Sequence, residues 1–149
     1  MNPFDLKTAL FAKHAQHVAI VHFPIALLLV SFLFDLLALW RRSPALAVAA
    51  RYNLFFAAVS SLFAVGTGLA AWQWLLGGGR LAGMLRLHLA LALVSVVMTI
   101  GLWSWRRGRL DHAQVMGWRY LSLAFFACVF IALTGHLGGF VSGVNRPGD

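Results

Sequence analysis

The sequence predicts an all-α integral membrane protein: an up-down four-helix bundle with a short N-terminal interfacial helix. Three observations lead there. The chain is 61% hydrophobic and only 11% charged, with a mean hydropathy of +0.82, whereas soluble domains carry about 25% charged residues. Four apolar runs are each long enough to cross a hydrocarbon core of about 30 Å. Arginines and tryptophans gather at the ends of those runs, as they do at membrane surfaces. Every backbone group needs an internal partner in lipid, so the runs must be helices or a closed barrel. The barrel fails, because apolar and polar residues do not alternate along them.

The opening segment, residues 1–17, lacks the small-residue cleavage pattern of a signal peptide. Asn2, Pro3 and Asp5 read as the start of a helix lying at the interface, with Phe4, Leu6, Leu10 and Phe11 for lipid or bundle. The membrane domain spans residues 18–144, and 145–149 form a tail. Its four spans are Val18–Trp40, Asn53–Leu76, Leu85–Trp105 and Tyr120–Val141. The connectors are Arg41–Tyr52, the glycine run Gly77–Gly79 with Arg80, and Arg106–Arg119. No internal repeat is evident.

The net charge of +8 rests on only 12 basic residues placed between apolar runs, which favours a lipid surface over nucleic acid. Seven arginines (41, 42, 51, 106, 107, 109 and 119) lie on one side, against Lys7, Lys13, Arg80, Arg86 and Arg146 on the other. This bias orients both termini and the glycine connector outward, towards the periplasm of a bacterial inner membrane. The one cysteine, Cys128, excludes a disulfide framework or a four-thiolate site. Glutamate is absent and only Asp5, Asp35, Asp111 and Asp149 supply carboxylates, which removes di-iron carboxylate centres and paired-acid hydrolases. Asp35 is expected to reach towards Arg41 and Arg42 as a structural ion pair.

Six histidines remain as the chemistry to explain. His22 lies 19 residues before Arg41, His88 lies 18 before Arg106, and His136 lies 17 after Arg119. At 1.5 Å per residue they stand about 28, 27 and 26 Å from the arginine plane. Three helices thus deliver one imidazole each to one outer layer, with His17 about 7.5 Å further out on the first span. Histidine at a helix end also serves as an interfacial hydrogen-bonding group, the reading for His14 and, in its connector, for His112. Three at matched depth point instead to ligands projecting inward from facing helices. A haem b held by two axial imidazoles, or a mononuclear copper, zinc or iron ion held by His22, His88 and His136, would use them. A structural or assembly subunit, with histidines hydrogen-bonded across the bundle, is the third reading. Gly135, Gly139 and Gly143, and Ser60, Ala64 and Gly68, form small-residue stripes at four-residue spacing, which admit a flat macrocycle or another helix. Arg80 and Arg86 lie on the side where haem propionates would need positive partners. Pro24 frees the carbonyl of residue 20 beside His22.

The stretches HVAIVHFPIALL (His17–Leu28) and LTGHLGGFVSGV (Leu133–Val144) resemble the two ends of a bacterial four-helix membrane family catalogued as domain of unknown function 2231. The resemblance covers the whole hydrophobic part of the chain, with HFPIAL and TGHLGG as its most specific pieces. A histidine opening the third helix in that family matches His88, and one five residues before HFP matches His17. The resemblance implies electron transfer at the outer face of the membrane, with haem b as cofactor. It also implies a Rieske-type or c-type cytochrome partner within a larger membrane complex. After TGHLGG the sequence departs, FVSGV replacing a more polar, aromatic-containing stretch. No redox domain is fused to the bundle, so the electron partner is expected as a separate chain. The resulting expectation is a subunit moving electrons between a quinone pool and a periplasmic partner. His22, His88 and His136 are its ligand set, with His22 and His88 the first axial pair and His17 a fourth ligand if two haems bind.

Overall fold

The computed structural model describes residues 15–75, 77–107 and 117–142. They form four helices: α1 (Ala15–Arg41), α2 (Pro44–Leu75), α3 (Gly83–Arg107) and α4 (Trp118–Val141). All four are long and apolar enough to cross a membrane, as expected. The N-terminal interfacial helix and His14, and the stretch with Asp111 and His112, lie outside the described residues. Ala15–His17 belong to the first turn of α1.

The connector expected over Arg41–Tyr52 is instead two residues long. Pro44–Arg51 reads PALAVAAR and joins α2, because alanine is the best helix former and proline is tolerated at the first helical position. Ser43 caps the helix through its Oγ, which accepts the Leu46 N–H at 3.5 Å. Arg51 stays within the helix by donating to the Arg107 carbonyl at 3.5 Å. α1 ends in a Schellman turn: Ser43 N–H donates to Ala38 O at 3.0 Å, and Arg42 N–H to Leu39 O at 3.4 Å. Arg42 occupies the left-handed position, φ 49°, where glycine is usual. Between α2 and α3, Gly77 and Gly78 take φ 62°, and Trp72 Nε1–H donates to Gly79 O at 3.0 Å.

Each helix packs against its sequence neighbours and α4 closes on α1, so α1/α3 and α2/α4 are the diagonals. Apolar side chains gain little by leaving lipid for one another, so close approach of backbones has to hold the helices together. Small residues line the contacts accordingly: Ala50, Ala57 and Ala58 of α2, and Ala124 and Ala127 of α4, are buried. Leu28, Leu54, Leu102 and Ile131 join them in a dry mid-bundle plug.

Burial also reveals an internal repeat that the sequence reading missed. The inward positions of α1 and α3 pair as Pro24/Ser95, Leu28/Thr99, Ser31/Leu102 and Asp35/Arg106, all at the 71-residue separation of the last pair. Along α2 and α4 the rule runs one residue shorter: Ala50/Tyr120, Leu54/Ala124, Ala57/Ala127, Ala58/Cys128 and Ser61/Ile131. Phe55–Phe56 and Phe125–Phe126 make matching edge contacts at 5.2 and 5.8 Å. The bundle is therefore two copies of a helical hairpin. Because α1 and α3 run in the same direction, the copies are related by an approximate two-fold axis along the membrane normal.

Candidate functional site

Two candidate sites lie on that axis, one at each end. The first is a buried ion cluster near the arginine-rich end. Asp35 does not reach towards Arg41 and Arg42. It accepts from Arg106 Nη1 at 2.6 and 2.8 Å, with exposures of 1% and 2%. Arg106 Nη2 donates to Ala47 O at 2.8 Å, and the Tyr120 hydroxyl donates to Asp35 at 3.0 Å. Every buried side-chain nitrogen and oxygen among the described residues has a partner. A charge in lipid is tolerated when it faces the bundle interior and is paired; here all partners are internal. The cluster braces all four helices and, fully satisfied, offers no group to a ligand.

The second site is an apolar cavity of about 660 Å³ at the opposite end, within the range of pockets that hold cofactors. All four helices contribute walls. His17 and His88 enter from the diagonal helices α1 and α3, and His22 stands at an exposed edge. His88 Nδ1 lies 3.1 Å from the Thr134 carbonyl. A carbonyl only accepts, so in the neutral ring Nδ1 carries the proton and Nε2 the lone pair. His17 Nδ1 lies 3.1 Å from Thr67 Oγ1, whose own hydroxyl is directed at the Phe63 and Ala64 carbonyls, both at 3.0 Å. Thr67 therefore accepts from His17, and the same tautomer results. His22 Nδ1 donates to Val18 O at 2.6 Å.

Glycines set the depth of two of these rings. A Cβ on Gly68 would stand 3.0 Å from His17 Cε1, and one on Gly138 would stand 3.2 Å from His88 Cε1. Each imidazole brings its Cε1 corner close to a neighbouring backbone, an approach that glycine leaves open. Gly135 and Gly139 also line the cavity, Gly135 receiving the Ile25 side chain. On the wall beside His88, Ser95 Oγ and Thr134 Oγ1 are 3.3 Å apart.

His136 does not join this wall. It is exposed and meets Phe140 edge-on at 5.0 Å. It follows the inward-facing Ile131 by five residues, a rotation of about 140° around the helix. Arg80 and Arg86 are exposed beside the wall residues Leu81 and Leu85 and are not on the wall themselves. Among the described residues, no group of three His, Cys, Asp or Glu side chains converges to hold a metal ion. His22, His88 and His136 are thus not brought together as a three-ligand set. Two imidazoles on opposite walls, each with Nδ1–H fixed by an oxygen, do suit a flat cofactor ligated on both faces. In the sequence, Thr67 stands only as a neighbour of the small-residue stripe, Thr134 and Gly138 only as parts of TGHLGG, and Tyr120 only as the start of a span, none with a role of its own. The repeated FFAAV and FFACV (Phe55–Val59 and Phe125–Val129) were the signal that would have aligned the halves and exposed them.

No curated protein and no solved structure matches the chain. One family model does, over residues 13–146, which include the whole of the bundle. The chain belongs to the family described as predicted membrane protein (DUF2231).

Proposed function

We propose that this protein is a b-type cytochrome-like membrane subunit, passing electrons between a quinone pool and a separate periplasmic partner of the c-type cytochrome or Rieske kind. The observation that carries the reading is the apolar cavity with imidazoles entering from diagonal helices, their Nδ1 positions fixed by oxygen partners. Haem b, when bound there, supplies one-electron chemistry. The chain's own residues exclude water, present Nε2 lone pairs and, through Arg80 and Arg86 at the same end, offer positive partners for propionates. A bacterial inner-membrane setting with this end outward is supported by the arginine distribution among the described residues. Arg41, Arg42, Arg51, Arg107 and Arg119 face Arg80 and Arg86 at the other end.

The test is the dithionite-reduced minus oxidised absorption spectrum of the purified protein, with pyridine haemochrome quantification. A sharp α band and a b-type haemochrome are expected. A flat spectrum from folded protein grown with ample haem removes this function, and elemental analysis for copper, zinc and iron then decides whether the same histidines serve a metal ion.

A further inference from the structure

Building on the haem reading, we infer that the axial ligands are His17 and His88, the two histidines that the internal repeat makes equivalent. The separation that relates Asp35 to Arg106 also relates His17 to His88. By the same rules His22 corresponds to Leu93, and His136 to Gly66, so neither has a histidine counterpart. Gly68 and Gly138, the glycines under the two rings, are themselves equivalent positions on α2 and α4. Each ring finds its Nδ1 acceptor on the helix that supplies its glycine. A porphyrin presents two equal faces, and two-fold related donors on diagonal helices present one imidazole to each.

Depth supports the same pair. Asp35 and Arg106 touch, so they mark one level of the bundle. His17 and His88 each lie 18 residues above that level, about 27 Å along their helices. His22 sits about 7.5 Å lower on α1. His22 matches His88 in depth only on a scale that puts Arg106 at the surface, and Arg106 is interior.

The test uses full-length protein in detergent, comparing His17→Ala, His88→Ala, His22→Ala and His136→Ala by haem content and by electron paramagnetic resonance. Loss of the low-spin bis-imidazole signal is expected for the first two and its retention for the last two. His17→Gly and His88→Gly, titrated with free imidazole, should regain the signal, which a variant that had merely failed to fold would not do. A haem-loaded wild type whose His17→Ala variant keeps its low-spin signal overturns this ligand pair and leaves the haem reading standing. A wild type without haem overturns both.

Discussion

Replacing Asp35 by asparagine keeps the shape of the buried cluster and removes the charge that Arg106 was built to meet. The guanidinium of Arg106, a residue 2% exposed, makes its shortest contact, 2.6 Å, and another of 2.8 Å to the carboxylate. Its remaining partners, the Ala47 carbonyl and the Tyr120 hydroxyl, are neutral. Removing one member of a buried pair leaves the other charge uncompensated, which costs about 3–5 kcal/mol. That corresponds to about two to four powers of ten in the folding equilibrium. Equilibrium unfolding in mixed micelles of a mild detergent and dodecyl sulfate, followed by circular dichroism, reads this directly. The repeat adds a sharper expectation: in the double exchange Asp35→Arg/Arg106→Asp, the two charges swap between equivalent positions and still face each other. At least half of the loss should be recovered. Recovery stops short of complete because the counterpart of the Ala47 carbonyl is Gly117 O, already occupied by the Tyr120 and Leu121 N–H groups. An Asp35→Asn variant within about 1 kcal/mol of wild type, the exposed-pair range, or an exchange no better than the worse single variant, would refute the reasoning.

Other substitutions separate the roles of single residues. Arg42→Gly should stabilise the protein by about 1 kcal/mol in the same unfolding assay, because the left-handed φ of 49° costs an L-residue about that much. Gly68→Ala and Gly138→Ala should each destabilise by about 1–3 kcal/mol, since the new methyl meets an imidazole at 3.0 or 3.2 Å. Gly66→Ala, with open space around it, should instead gain up to about 1 kcal/mol from helix propensity. Cys128, buried at the α1–α4 contact, should resist maleimide labelling in folded protein and react after unfolding; rapid labelling of the native state would contradict that packing.

The number of spans was legible in the sequence because a bilayer imposes length and apolarity on each helix separately, so those features need no knowledge of neighbours. What depended on neighbours was lost. Arg51 and Arg106 each stood beside polar or basic residues and read as connector, although one lies within α2 and the other is core. The α2 start was displaced for that reason, and so was the depth scale for His22 and His88. The equivalence of the halves was hidden because the repeat preserves which positions turn inward while changing what occupies them: Pro24 against Ser95, Asp35 against Arg106. The histidines and wall glycines at the cavity end were recognisable as residue types. Their selection into a cavity pair depended on helix rotation, which carries His136 to the outside and Gly138 to the inside.

A residue on the two-fold axis of a true homodimer meets its own copy, so an acid would face an acid and a base would face a base. The Asp35–Arg106 contact sits where that rule would apply and breaks it. Only a chain that carries both copies of its hairpin can place opposite charges at the same structural address. Two first hairpins brought together would bury two carboxylates, and two second hairpins would bury two guanidiniums. Each like-charge pairing is penalised where the mixed one is rewarded, so the cluster makes the unlike hairpins choose one another during assembly.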